Sequence, residues 1–365
     1  MNDGITKVDV FTGGKEGHAV FRIPAIIMSK KGTLLAFCEG RKRIADMSEN
    51  IIVFKRSTDG GATWEPLRVI ARMGRDSLNN PTAVVVRETG RVVLFFQRYP
   101  YPSNEHRTMP GYVTRGFKAM LGYRALLSYE TRSDDDGGTW SEPRDITRQV
   151  KRPAEVTTIA SGPGIGIQLR RGLHAGRLLM PINQGPYGRW RVYVAYSDDR
   201  GETWVMGDFA PESGTGHANE VQLVELADGT VMLNARNQGG NNAHARKIAT
   251  SANGGETWST LVDDPALIEP TCQGSIVRHS DPLDHEKSVL LFSNPASRTA
   301  RVCGTVRASF DEGKTWPMTR VIEPGNFAYS CLAVLGDKSI VCLYETGTAG
   351  GYEKIVLARF TMPFN

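Results

Sequence analysis

One eight-residue pattern returns five times along the chain, and it restricts the possible folds more than any other feature. It reads STDGGATW at Ser57–Trp64, SDDDGGTW at Ser133–Trp140, SDDRGETW at Ser197–Trp204, SANGGETW at Ser251–Trp258 and SFDEGKTW at Ser309–Trp316. Four copies keep Ser-x-Asp-x-Gly-x-Thr-Trp in full, and the fourth in order has Asn253 in place of Asp. Five of the six tryptophans lie in these octets, so the repeat is a structural unit rather than a compositional accident. Asp and Gly supply the local hydrogen bonding and positive φ of a tight turn. Ser and Thr can bond across it, with Trp folded beneath as an apolar plug. Each octet follows a strand-like run, such as Ile51–Phe54 or Val192–Tyr196. The spacing of roughly sixty residues suits four-stranded propeller blades with long loops. Counting one blade without an octet, near Ser339–Tyr344, the chain reads as all-β, a six-bladed β-propeller with residues 1–365 as one domain. Val8–Phe11 is expected to pair with Ile355–Phe360 and close the ring.

Composition removes several function classes. No run of about 18 apolar residues is present to span a membrane. The opening MNDGITKVDVF lacks a basic-then-apolar leader, which fits a cytoplasmic protein or a secreted one expressed without its leader. The net charge of +5 is spread along the chain, apart from short groups such as Arg41-Lys42-Arg43 and Arg170-Arg171. A nucleic-acid partner calls for a concentrated basic face, whereas a mild positive balance suits a small anionic substrate. Five cysteines without CxxC spacing and seven histidines without HExxH spacing indicate neither a disulfide framework nor a metal site. No metal and no organic cofactor are expected. Nothing in the sequence specifies an oligomeric state.

The segment Phe21-Arg22-Ile23-Pro24 resembles the FRIP motif of sialidases, and from there the resemblance runs over essentially the whole chain in matching order. The octets resemble the Asp-boxes of that family, which also occur in other propellers and so speak for architecture rather than chemistry. In the family, three arginines bind the substrate carboxylate. The resemblance implies Arg22 as the first and Arg236, in Leu233-Asn234-Ala235-Arg236, as the second. Arg301 is the best match for the third, with Arg298 and Arg307 as competitors. Guanidinium groups suit the task because they stay charged and present forked donors to a carboxylate. Clustered cations need an anion to offset their repulsion, and Glu345 matches the carboxylate that holds the first arginine.

The same resemblance implies Tyr329 as nucleophile and Glu220 as its paired base. Sialidases with a tyrosine nucleophile are an exception to the two-carboxylate rule for glycosidases. A neutral phenol avoids the repulsion that a carboxylate nucleophile would meet at a carbon already bearing a carboxylate. Its ordinary pKa near 10 leaves it a weak nucleophile unless a base removes the proton as it attacks. Asp46, expected in the loop between the first two strands of blade one, matches the acid/base, with Arg41 beside it. Gln273 matches a segment facing the sugar's glycerol chain, and Asn80 one shaping the N-acyl pocket.

The chain departs from animal cytosolic members at Ile182-Asn183-Gln184-Gly185, where those relatives carry pocket tyrosines, and at Thr157–Ser161, which lacks an aromatic residue often found there. The insert Tyr99–Tyr123, rich in Pro, Arg and Gly, is expected over the active-site rim. The reading is therefore a retaining exo-sialidase whose partners are sialylated glycans on glycoproteins, gangliosides or oligosaccharides. The alternatives are a trans-sialidase, for which no aromatic acceptor platform is visible, and a non-catalytic glycan-binding propeller, which would have no need of Asp46, Glu220 and Tyr329.

Overall fold

A computed structural model describes residues 4–154, 156–214, 216–238 and 244–362. The chain forms six antiparallel blades around an axis. Blade one shows the plan, running outward through Val20–Met28, Leu34–Arg41, Ile51–Ser57 and Arg68–Ala71. The innermost strands of the other blades are Ser77–Val85, Thr158–Ser161, His217–Glu225, Ser275–Ser280 and Ser330–Val334. These inner strands pack on neighbouring blades around the axis. They are buried on both faces, so apolar residues run along them without strict alternation, as in Val20–Met28.

Thr6–Thr12 supplies the outermost strand of blade six, pairing with Lys354–Phe360 so that Val8 faces Leu357 and Phe11 faces Ile355. The ring is closed as the sequence suggests. This closure also explains the blade without an octet. In blades one to five the octet is the turn from the third strand to the fourth. In blade six that step crosses the chain termini, so no turn exists there to carry one.

The octet's chemistry repeats from copy to copy. In the first, Ser57 Oγ donates to Asp59 Oδ1 at 2.7 Å, and the Thr63 amide and hydroxyl donate to the same carboxylate at 2.9 and 2.5 Å. The two Thr63 donors and the Ser57 hydroxyl hold the Asp59 carboxyl well below the ordinary range. Asn253 keeps the same turn by accepting from Ser251 and the Thr257 amide, while its Nδ2 donates to the Thr257 hydroxyl at 2.9 Å. The fifth-position glycine has φ of +93° at Gly61 and +90° at Gly255. A Cβ on Gly255 would lie 2.6 Å from Val194 Cγ2 of blade three, and one on Gly61 would collide with Leu357 of blade six. Only glycine meets both demands.

The tryptophans correct one expectation. Two of them pack against the preceding blade rather than under their own turns, whereas Trp316 meets Phe292 of its own blade at 5.9 Å. Trp140 of blade two meets Phe37 and Phe54 of blade one edge-on at 5.7 and 5.6 Å, and Trp204 of blade three meets Phe95 of blade two at 4.7 Å. Each such pair contributes about 0.5–1.5 kcal/mol beyond its area burial. In those two copies the octet is a wedge between blades, because the nearest apolar ring belongs to the neighbour.

Candidate active site

Three inner strands break register where they approach one end of the axis. The irregularities fall between Arg22 and Ala25, between Asn79 and Thr82, and between Ala218 and Val221. Pro24 cannot donate to a ladder, and Ile23 and Asn80 take left-handed φ of +61° and +58°. These bulges turn Arg22, Asn80 and Glu220 toward a common pocket of about 280 Å³. Arg236, Arg301, Tyr329, Arg41 and Asp46 also line it.

The floor is a network of ion pairs. Arg22 donates through Nε and Nη2 to Glu345 at 2.7 and 3.2 Å. Glu345 also accepts from the backbone amides of Ile23 at 2.8 Å and Tyr329 at 3.2 Å, so one buried carboxylate fixes both the first arginine and the tyrosine. Burial alone would lower the Arg22 pKa, but the charge and hydrogen bonds of Glu345 more than offset it. Arg236 Nη1 donates to Glu220 at 2.8 Å and to the Tyr329 hydroxyl at 3.1 Å, and the Tyr329 hydroxyl donates to the other oxygen of Glu220. Burial, reinforced by the negative charge of Glu220, pushes the Tyr329 phenol well above its usual pKa, against the pull of Arg236 and Arg301. The free phenol is therefore protonated and already bonded to a base.

Arg301 donates to the Tyr352 hydroxyl at 3.0 Å and the Thr271 carbonyl at 3.2 Å, and has no carboxylate partner among the described residues. Its guanidinium carbon and that of Arg22 each lie 5.4 Å from the Tyr329 ring centre. Three guanidiniums with two carboxylate partners leave the floor short of one anion. The floor can therefore accept one more anion.

Opposite the floor, Asp46 is open to solvent, its side chain 56% exposed, with Arg41 Nη1 at 2.9 Å. Its loop joins the second and third strands of blade one rather than the first two, because Thr6–Thr12 belongs to blade six and Val20–Met28 is innermost. Glu39, which the sequence reading passed over, anchors this wall. It accepts from Arg41 Nε at 2.8 Å and from the Asn80 amide at 2.7 Å. Complete burial, opposed by Arg41, raises its pKa to about 6. Asn50 and Asn79 hold the Asp46 carbonyl at 2.5 and 3.0 Å. The signal for Glu39 was its place in Glu39-Gly40-Arg41, two residues before Arg41 on one face of a strand.

One expected contact needs revision. Gln273 is buried beneath the floor and does not line the pocket. Its side-chain amide pairs with the Ser330 peptide, accepting at 2.9 Å and donating at 3.0 Å, and so steadies the residue after Tyr329. Of the competitors for the third arginine, Arg307 spends Nη1 on Asn294 at 2.8 Å within blade five, and Arg298 lies exposed outside the lining.

The rim adds side chains that motif reading missed. Glu105, in the one-turn segment Glu105–Arg107 of the Tyr99–Tyr123 insert, faces the pocket with Tyr99. Burial together with the charges of Asp46 and Glu220 pushes its carboxyl up to about 7. Tyr187 and Trp190, in the turn after Ile182–Gly185, line another wall with their rings 5.4 Å apart. The aromatic faces absent from the strand are thus supplied by the turn that follows it.

A family model described as a BNR repeat-like domain matches residues 32–342. A sialidase from Micromonospora viridifaciens is 36% identical over 98% of this chain and 56% of its own length. An exo-alpha-sialidase from Aspergillus fumigatus is 30% identical over 95% of this chain and 85% of its own. The chain belongs to the sialidase family. Among solved structures, the Hadza microbial sialidase Hz136 superposes with a TM-score of 0.84 at 29% identity, covering 98% of this chain and 68% of that one. This member spans little more than half of the Micromonospora relative and 63% of a Bacteroides fragilis sialidase.

Proposed function

We infer that residues 1–365 act as one catalytic unit, an exo-sialidase that hydrolyses terminal α-linked sialic acid from glycoconjugates with retention of configuration. The observation that carries this reading is the pairing of Tyr329 with Glu220 on a floor that holds Arg22, Arg236 and Arg301. In the proposed sequence the three arginines clamp the sugar carboxylate. Tyr329 Oη attacks the anomeric carbon and passes its proton to Glu220, while Asp46 protonates the departing glycan oxygen. Asp46, now ionised, removes a proton from water. The water displaces Tyr329 from the same carbon, and Glu220 returns the phenol's proton. Two inversions give net retention.

Arg41 and Glu39 keep Asp46 on the leaving-group side, and Asn80 shapes the wall around the substituent at carbon five. Relatives named sialidase and exo-alpha-sialidase support the reaction class. The direct test is release of the fluorophore from an aryl α-sialoside, with proton NMR reporting the anomer formed first. Release of the α-anomer supports the scheme, whereas first release of the β-anomer would exclude the tyrosyl intermediate. A transfer reading draws on Tyr187 and Trp190, whose rings offer a sugar a stacking surface at the mouth. Adding lactose to the assay and measuring sialyllactose distinguishes transfer from hydrolysis.

A further inference from the structure

A second hollow of about 570 Å³ lies on the other side of the blade-three turn that carries Tyr187 and Trp190. The side chains alternate between the two. Asn183, Tyr187 and Trp190 line the catalytic pocket, whereas Gln184, Arg189 and Arg191 line the hollow. A single partition therefore serves both.

Two buried donors beside the hollow lack partners among the described residues. Gln184 is fully buried, and its Oε1 accepts from the Tyr193 hydroxyl at 2.6 Å and the Arg152 amide at 3.3 Å, but its Nε2 has no partner. A buried donor left unpaired is costly. Arg152 repeats the situation. Its Nη2 donates to the Gly207 carbonyl at 2.5 Å and lies 4.0 Å from Asp208, while its Nη1 is buried with no partner among the described residues. Arg191 has no carboxylate within 4.0 Å among the described residues, and its guanidinium carbon lies 3.9 Å over the Phe209 ring. Arg189 meets Glu212 only at 3.9 Å. Among the described residues, Arg152, Arg189, Arg191 and Gln184 thus line the hollow together with Phe209 and one carboxylate, Glu212.

We propose that this hollow is a second subsite for a carboxylate-bearing sugar. Forked donors fit a carboxylate, Phe209 backs the guanidiniums of Arg152 and Arg191 at 4.5 and 3.9 Å, and the volume, about twice that of the catalytic pocket, has room for a sugar ring. Choosing a sugar acid over another anion rests on the sialidase reading of the neighbouring pocket. The ligand has two sources. It is either the second acidic unit of the glycan being cut or the end of a separate glycan.

The experiment uses the full chain with Arg191→Gln and Arg189→Gln, two variants outside the catalytic machinery. Kinetics are compared on a monosialyl aryl glycoside and on its α2,8-linked disialyl counterpart. Binding of methyl α-sialoside is measured by calorimetry in an Arg236→Ala background, where the first pocket is disabled. If the same glycan reaches both sites, each hollow variant raises KM for the disialyl substrate roughly tenfold, leaving kcat and the monosialyl substrate unchanged. If a separate glycan end binds, the two substrates respond alike, but the Arg236→Ala protein still binds methyl α-sialoside and loses that binding on adding Arg191→Gln. Neither a KM split nor residual binding overturns the subsite. A parent that releases no sialic acid refutes the sialidase reading instead, and the calorimetric arm still reads the hollow independently.

Discussion

The floor and the rim of the pocket are built on opposite principles. On the floor, Arg22, Glu345, Tyr329 and Glu220 are buried and Arg236 is partly buried; they lie on or beside inner strands and hold one another through charged hydrogen bonds. At the rim, Glu105 sits on a one-turn segment of a long insert, and Tyr187 is 44% exposed on a hairpin turn, its ring tilted against His106 at 4.3 Å. Each floor residue is determined by several partners, so altering one disturbs the others. Rim residues answer mainly to whatever enters the pocket. The floor should therefore govern rate, and the rim selectivity and pH response.

The largest expected effect tests the floor as a unit. Tyr329→Phe should lower kcat by roughly 10³-fold or more while sialic acid still binds, since the arginine clamp is left in place. Glu220→Ala should be similarly severe. Joining the two should cost far less than the sum, because the base has no function without the phenol. Additive losses would mean that the two residues act separately, and the tyrosine mechanism would fall with that result. Arg236→Ala should come next, weakening transition-state binding by about 2–5 kcal/mol as it strips a partner from Glu220. Kinetics equal to the parent would remove Arg236 from the site.

Asp46 belongs to neither group, being anchored like the floor through Arg41 and Glu39 yet open like the rim. Asp46→Asn should reduce turnover of natural glycans by roughly 10²–10⁴-fold, the usual range for a general acid. The loss should shrink on an aryl sialoside with a good leaving group, which needs little protonation. An equal loss on both substrates would assign Asp46 to binding rather than proton transfer. For the rim, Tyr187→Ala should raise KM for sialyllactose by about tenfold, on the scale of one base- or ring-stacking contact, and leave kcat on an aryl sialoside unchanged. A fall in kcat on both substrates would place Tyr187 with the floor.

The same contrast explains what could be read from the sequence. The octets carried the blade count because each must place an Asp or Asn cap, a left-handed glycine and a tryptophan at fixed offsets, and few other residues satisfy that geometry. Floor residues were legible through short local contexts, such as Arg22 before the bulge at Pro24. Gln273 misled because the segment just before the strand Ser275–Ser280 turns its side chain under the floor toward Ser330. Glu39 was passed over although Arg41 stands two residues along its strand, because its other partner, Asn80, comes from the next blade. Tyr187, Trp190 and Glu105 had no motif at all. They reach the pocket through the path of a turn and an insert, which hydrophobic periodicity does not encode.

The smallest predicted effect is the most specific to this chain. Glu105 is pushed up to about 7 by burial and by the charges of Asp46 and Glu220, with Arg236 pulling the other way. Below that pH its carboxyl is neutral, and the pocket keeps its attraction for an anionic sugar. As pH rises through about 7 the group ionises and adds a negative charge beside two others. KM should therefore increase from pH 6 to pH 8, by roughly 3- to 10-fold for one partly screened charge within the pocket. Glu105→Gln stays neutral throughout and should hold KM near its pH 6 value, while the Tyr329 and Glu220 contribution to kcat is untouched. Measuring both constants across that range separates rim from floor: a KM limb that survives Glu105→Gln must come from another group, and a limb that moves to kcat would put Glu105 in contact with the reacting atoms. If KM instead falls as pH rises, the ionised carboxylate attracts the substrate, and Glu105 reads a hydroxyl or amide donor of the sugar rather than opposing its charge.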